Sequence, residues 1–398
     1  MKILVLNAGS SSLKYQLFDM ESKNVLAKGV CERIGAGGEI THKRPNADNY
    51  SKELDLPDHT SALSLVLDLL TSKEYGVISS IEEIEAVGHR VAHGGEIRES
   101  SLITEKVIKY LETIVPINPL HGPPAIAGIK ACLSLMKDVP QVAVFDTSFY
   151  SDIEESRYVY AIPYEFYEKD NVRRYGFHGT SHRYVSAECA KILGKPLSDL
   201  KMITCHLGNG SSISAIDHGK VIDTSMGFTP QEGVVMGTRS GSIDPTVVTY
   251  LMKTKGYSAD EMENILNKKS GLLGVSGVSN DCRSVQLAAA DGNKRAALAI
   301  DILVNSIKKI IGAYIAEMNG IDVLVFTAGI GENNFAIREA VCDSMSYLGI
   351  EIDNERNANF TRGIPFELTK EGAKVATWVI PTDEEYMIAI DTMRLAKQ

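Results

Sequence analysis

Two stretches half a chain apart share one plan, and that repeat limits the folds open to this chain. KILVLNAGSSSLKYQL (residues 2–17) and MITCHLGNGSSISAI (residues 202–216) each read as an apolar strand, a Gly-Ser turn and an alternating strand. Gly9, Ser10 and Ser11 fall on Gly210, Ser211 and Ser212 at an offset of 201 residues. A repeat of that period in a chain of 398 residues points to a duplicated fold with two domains, each able to bury its own core. The first stretch is not a P-loop, because Leu13 rather than Gly precedes Lys14 and no Ser or Thr follows it. Leu13, Tyr15 and Leu17 alternate with Lys14, Gln16 and Phe18, a period of two that predicts a hairpin. The alternation leaves open which face of that strand meets a ligand. Two such hairpins could hold a phosphate chain with backbone N–H groups and hydroxyls.

Short apolar runs (ILVL, AVGHRVA, QVAVFD, MITCHL, VLVFTAG) alternate with helical patterns, which indicates an α/β protein. Thr180 or Ser181 is placed to cap a helix burying Val185, Cys189, Ile192 and Leu193 and ending at Gly194. Asp244-Pro245 starts another helix. The longest helical pattern runs from about Asn293 to Met318, with an apolar stripe of the kind that faces a core or a subunit interface. Thr382 and Glu385 have capping-box spacing, with Asp383 and Glu384 in the first turn. FTAGIGENN reads as a third glycine turn between the strand Val323–Thr327 and a helix, open enough for close approach of a ligand.

The formal charge of −10, without a basic run, argues against nucleic acid as a partner. The six cysteines are scattered with no C-x-x-C, which favours reduced thiols and a cytoplasmic location and disfavours zinc. The apolar run Ile3–Leu6 is too short for a signal peptide, and no stretch is long enough to span a membrane. Arg90, His93, Asp146, Arg239, Asp281 and Arg283 adjoin strand ends or glycine-rich loops, where functional groups concentrate. His89 and His93 lie four apart, but on a strand that separates side chains by roughly 13 Å, too far for one ion. His89, His93, His182 and His206 read as hydrogen-bonded structural histidines, whereas His178, between Phe177 and Gly179, is the better ligand contact.

Taken together, NAGSSSLKY, GHRVAHGGE, FDTSF, YGFHGTSH, CHLGNGSS, MGFTP, MGTRSGSIDP, SNDCR, FTAGIGEN and PTDEE resemble the acetate kinase family along essentially the whole chain and in order. The resemblance implies two RNase-H-like domains of the actin-like ATPase superfamily around a nucleotide cleft. Residues 1–150 plus a C-terminal helix at about 383–398 would form the acyl and phosphate side, and residues 151–382 the nucleotide-binding and dimerisation side. It implies ATP and acetate as substrates, ADP and acetyl phosphate as products, Mg2+ (or Mn2+) as cofactor, and a homodimer without membrane or nucleic-acid partners.

Carried over by position, the family pattern puts Asn7, Ser10, Ser12 and Lys14 in the first phosphate hairpin. His206, Leu207, Gly208, Asn209 and Gly210 form the second. Arg90, His121, His178 and Arg239 would surround the transferring phosphoryl group, with Asp146, Glu384 and Asn7 at the metal and catalytic site. Asp281, Cys282, Arg283, Gly329, Ile330, Gly331, Glu332 and Asn333 would border the adenosine. Arg90, Ala92, Leu120, Phe177 and Pro230 would receive the acid. Ala92 stands where the family commonly has Val, which enlarges the methyl pocket and makes a propionate or other short-chain acyl kinase the alternative. Cys282 stands where an aromatic is common. A sugar kinase fits less well, because paired arginines suit a carboxylate and a phosphate better than a polyol. A nucleotide-dependent binding module, hydrolysing without an acceptor, is the reading from another class.

Overall fold

A computed structural model describes residues 1–397. The chain divides into two compact units, Met1–Ser151 with the segment from Asp383 onward, and Asp152–Thr382.

The first unit opens with β1 (Lys2–Gly9), β2 (Ser12–Asp19), β3 (Asn24–Glu32), β4 (Glu39–Lys43) and β5 (Tyr50–Glu53), then α1 (His59–Thr71). It continues with β6 (Ile84–Val91), β7 (Ser101–Leu102), α2 (Glu105–Thr113), α3 (Gly122–Leu135) and β8 (Gln141–Phe145). The strands form one sheet in the order β5-β4-β3-β2-β1-β6-β8-β7. The second unit contains the short α4 (Glu155–Tyr158) and α5 (Glu165–Asp170), α6 (Gly179–Ile192), β9 (Lys201–Leu207), β10 (Ser211–Asp217) and β11 (Lys220–Thr224). Five helices follow: α7 (Pro245–Lys255), α8 (Ala259–Lys268), α9 (Gly271–Ser276), α10 (Cys282–Ala290) and α11 (Lys294–Glu317). Then come β12 (Val323–Thr327), α12 (Ala328–Asn333), α13 (Phe335–Cys342), α14 (Asn354–Ala358), β13 (Phe366–Glu367) and β14 (Ala376–Val379), with sheet order β11-β10-β9-β12-β14-β13. The last helix, α15 (Glu384–Ala396), belongs to the first unit.

The duplication is visible in the pairing. In β3-β2-β1-β6-β8 and again in β11-β10-β9-β12-β14, three antiparallel strands are followed by two running parallel to the first. That is the RNase-H-like pattern the resemblance implies. The residue correspondence differs from the expected offset. Both initial strands begin at a lysine, Lys2 and Lys201, and their hairpins close at Gly9↔Ser12 and Leu207↔Ser211. The turn equivalent to Ser10-Ser11 is therefore Gly208–Gly210. Ser211 and Ser212 already lie within β10 and are buried.

Alternation in β2 works as read: Leu13, Tyr15 and Leu17 enter a core under α1 and α3, while Lys14 points to the other face and is exposed. Phe18 joins Ile3, Val5 and Ala86 beneath Ile388 and Ala389 of α15. This seat depends on Gly88. A Cβ there would stand 2.3 Å from Thr392 Oγ1 and 2.7 Å from Ile388 Cγ2, so only glycine admits α15 this close to β6. A buried Ser100–Asp391 hydrogen bond of 2.5 Å fixes the same helix.

Four helix boundaries were open to check. Asp244 caps α7 through Thr246 N, and Asn293 caps α11 through the amides of Arg295 and Ala296, as expected. Thr180 and Ser181 do not cap α6. His178, left-handed at φ 58°, precedes Gly179, the first helical residue, and Ser181 Oγ is bonded to His206 Nδ1 and Thr382 Oγ1. Val185 and Cys189 of α6 are buried as read, but Ile192 is exposed. Thr382 is consequently not the cap of α15. Asp383 is, accepting from Tyr386 N, and the acids of the first turn are Glu384 and Glu385.

All six cysteines are buried free thiols. No helix among the described residues is long and apolar enough to cross a membrane. Gly88→Ala should destabilise the protein by about 1–3 kcal/mol, the range for overpacking a core, read as a lowered denaturation midpoint at unchanged m-value.

Candidate active site

In the first unit, β6 and β8 are parallel neighbours, with Arg90 paired to Val144 and Val91 to Phe145. Their carboxyl ends deliver Arg90 and Asp146 side by side. Arg90 Nε and Nη2 donate to Asp146 Oδ1 and Oδ2 at 3.2 and 2.8 Å, a bidentate fork that orients the guanidinium. Glu384, at the first turn of α15, brings Oε2 to 3.8 Å from the same Nη2. One guanidinium thus serves two carboxylates. The Glu384 pKa is raised to about 7, mainly by burial; Arg90 opposes that rise, while Asp146 and Glu385 add to it. Asn7 lies on β1 in register with Lys14, whose charge also favours the ionised Glu384. His59 Nε2 bonds the Gly9 carbonyl at 2.8 Å and steadies the hairpin turn, a tie with no sequence signal beyond a histidine after a capping Asp58.

In the second unit the hairpin turn, the α6 start and the MGTRSGS loop converge. A Cβ built on Gly210 would stand 3.5 Å from Arg239 Nη1 and 3.6 Å from His178 Nε2. Arg239 is largely buried. Its guanidinium donates to the Pro230 carbonyl at 3.0 Å, and burial alone perturbs it, lowering its pKa with no acid opposing. Asn209 packs on Gly237, where a Cβ would fall 1.8 Å from its Oδ1.

His178 stacks on His206 with ring centroids 4.1 Å apart. His182 Nδ1 meets Thr204 Oγ1 at 2.6 Å and its Nε2 meets Ser212 Oγ at 2.7 Å; Ser212 Oγ meets His178 Nδ1 at 2.9 Å. Burial drives His182 well toward the neutral form. Neutral His182 carries one ring hydrogen, so it donates to one of Thr204 and Ser212 and accepts from the other, and the chain of bonds runs on through Ser212 to His178 Nδ1. His178 Nε2 lies on the Gly210 side. His89 is likewise structural, bonded to Gln141 and lowered by burial to about 4.

Beside this turn lies a cavity of ≈ 1000 Å³ lined in part by Gly208, Asn209, Asp281, Cys282, Arg283, Gly329, Ile330 and Asn333. All eight are residues expected at the adenosine or its phosphates. Its remaining lining includes Asn280, Gln286, Leu287, Phe360 and Arg362. An aromatic and an arginine in NFTRG were the available hint for the last two. Asp281 also caps α10 through Ser284 N, and Cys282 is buried with its thiol pushed up to about 12.

FTAGIGENN is not an open turn. It is helix α12, because the Glu332 carboxylate accepts from Ala328 N and Thr382 N, and buried Arg338 donates to the Gly331 and Glu332 carbonyls at 2.9 and 3.0 Å. Glu332 and Gly331 therefore hold the element, while Gly329, Ile330 and Asn333 face the cavity. Leu207 points into the core. Among the residues expected to receive the acid, Ala92 is half-buried, Leu120 is 53 % exposed, and Phe177 sits in an apolar cluster with Tyr175, Met226 and Met236. His121 is exposed at the start of α3.

The donors around Arg90 suit a hard divalent cation. Among the described residues no group of three or more His, Cys, Asp or Glu forms a metal cage, and Mg2+ commonly takes only one or two protein carboxylates together with water and phosphate oxygens. Burial is the main cause of the raised Glu384 pKa, with Asp146 and Glu385 adding to it against Arg90 and Lys14.

Linkage gives a sign. Folded Glu384 holds its proton more tightly than a free carboxyl of pKa 4.5, so stability falls as pH rises from 4.5 through about 7, by roughly 1.4 kcal/mol per pH unit at most. Without divalent cations, Glu384→Gln should therefore raise Tm at pH 8, and the difference should vanish below pH 4.5. Equal Tm curves across this range would contradict the placement.

Residues 2–390 match the model of the acetokinase family. Acetate kinase 2 of Clostridium perfringens is 54% identical over 400 residues, covering 100% of both chains. The crystal structure of Porphyromonas gingivalis acetate kinase superposes with a TM-score of 0.95 at 48% identity, covering 99% of each chain. A propionate kinase from Francisella tularensis gives 0.92 at 40%, with 99% of each chain covered. The chain belongs to the acetokinase family.

Proposed function

We propose that this protein is an acetate kinase, transferring the γ-phosphoryl group of ATP reversibly to acetate. The observation that carries the reading is charge: Arg239 is a largely buried cation that no acid opposes, next to His178 and a glycine turn that leaves room for a ligand. A buried, unpaired charge is costly and is retained where an anion completes it. Arg90, forked onto Asp146, presents its remaining N–H groups in a fixed orientation.

An acetate oxygen attacks the γ-phosphorus, the new O–P bond forms as the bond to the β,γ-bridging oxygen breaks, and ADP leaves with that electron pair. The charges balance without a proton, since acetate is already ionised at neutral pH and needs no general base. Asp146 is therefore an orienting and metal-binding group. The chemical difficulty is two anions meeting, and Arg90, Arg239 and His178, as a donating or protonated imidazole, offset it as charge shifts onto the phosphoryl oxygens. Asp146 and Glu384, with the Asn7 amide, would hold Mg2+ or Mn2+, which neutralises phosphate charge when bound. The cavity bordered by Asp281, Arg283, Gly329, Ile330 and Asn333 takes the adenosine, and the amides and hydroxyls of Asn7–Ser12 and Gly208–Gly210 take the phosphates. Ala92, Leu120, Phe177 and Pro230 receive the acyl group. Exposed Val247 and Tyr250 on α7, a helix with no buried residue, support a second copy of the chain as partner.

Hydroxylamine trapping with ATP, Mg2+ and acetate, propionate or butyrate tests the reading. Acetate should give the fastest hydroxamate formation; none with any acid rejects the kinase, and propionate ahead of acetate selects the alternative that Ala92 raises. Arg239→Ala should lower kcat by about 10³ or more, an arginine in this role contributing roughly 4–7 kcal/mol, with the denaturation midpoint retained.

A further inference from the structure

A second basic feature lies on the first unit's sheet, on the face that β2 turns away from its α1–α3 core. Two rows of residues cross four strands there. Register aligns Asn7, Lys14, Val30 and Thr41 in one row, and Gln16, Lys28 and Lys43 in the next, with Val5 at its β1 end. These eight residues floor a groove of ≈ 300 Å³, and Glu385 at the start of α15 forms part of its wall. Lys14, Lys28 and Lys43 are all exposed at its surface. Lys28 and Lys43 are direct cross-strand partners, and like charges so placed destabilise a sheet. Lys2, Lys130, Lys169 and Lys370 have carboxylates within 3.0 Å, whereas Lys14, Lys28 and Lys43 have Glu385 in this lining and feel Asp383 and Glu384 of the same helix start only through space.

We propose that this face is a binding site for a polyvalent phosphate anion, separate from the seat of the transferring phosphoryl group. Three ammonium groups on flexible stems suit phosphate oxygens, which lysine binds as a point charge; carboxylate recognition favours the fork of arginine. The Lys28–Lys43 pair receives one end of the anion, and Lys14, on the diagonal, the other. Gln16 and Thr41 supply side-chain hydrogen bonds between them. The volume, ≈ 300 Å³, admits a short phosphate chain or a small phosphorylated molecule. Because Lys14 is shared with the first hairpin, an anion held here would draw that side chain along the sheet and change the hairpin's affinity for its own phosphates. The inference rests on this face alone and does not require the kinase reading.

The test is calorimetric titration of the full chain with inorganic tripolyphosphate, with orthophosphate in a parallel arm, in saturating ADP and without divalent cations. Tripolyphosphate should bind one site per chain, and orthophosphate at least tenfold more weakly. Lys28→Ala/Lys43→Ala should weaken tripolyphosphate at least tenfold, and Lys28→Arg/Lys43→Arg should retain it. Both double variants should keep the wild-type KM for ATP and acetate, since neither lysine belongs to the transfer site. Equal affinity in wild type and the alanine variant, or no binding once ADP is saturating, would overturn the proposal.

Discussion

A single guanidinium shared between two buried carboxylates sets the terms for the first unit. Arg90, Asp146 and Glu384 come from the ends of two parallel strands and the start of the C-terminal helix, so their meeting requires β6, β8 and α15 in place. Gly88 permits that approach, and the Ser100–Asp391 bond secures it. Burial raises the Glu384 pKa against the pull of Arg90. In the second unit Arg239 is a cation that burial alone perturbs, with no acid opposing.

Much of this was legible in the sequence for local reasons. A period of two identified β2 as a half-buried strand, and the structure shows Leu13, Tyr15 and Leu17 inside with Lys14 outside. Asp244-Pro245 announced α7 because the signal is carried by the backbone nearest it, and the apolar stripe announced α11 by its period. The duplication was legible as a plan. Its residue alignment was not, because matching Gly-Ser letters conceals that the second turn closes one residue wider, at Leu207↔Ser211.

The misreadings share a physical origin in side chains recruited from afar. Thr382 and Ser181 both look like caps, yet they bond each other across 201 residues of sequence, leaving Asp383 and His178 at the helix starts. FTAGIGENN reads as an open glycine turn until Glu332 folds back onto Ala328 N and Arg338 closes the other end. Phe360 and Arg362 reach the cavity only because α14 places them there. The His182–Ser212–His178 relay was equally invisible, being a product of α6 lying over β9 and β10. Resemblance to a family named candidate residues but could not say which face a cavity and which, like Leu207 and Glu332, hold the frame.

The central claim is that Arg239 acts on the phosphoryl group in flight, not on bound nucleotide in general. The most direct measurement is the affinity for ADP with Mg2+ and acetate, before and after addition of aluminium fluoride as a phosphoryl mimic, in wild type and Arg239→Ala. The account predicts that the mimic tightens ADP binding in wild type by about a hundredfold or more, the lower range for transition-state analogues, and that the variant loses most of this gain while binding ADP alone nearly as before. Equal tightening in both proteins would contradict it.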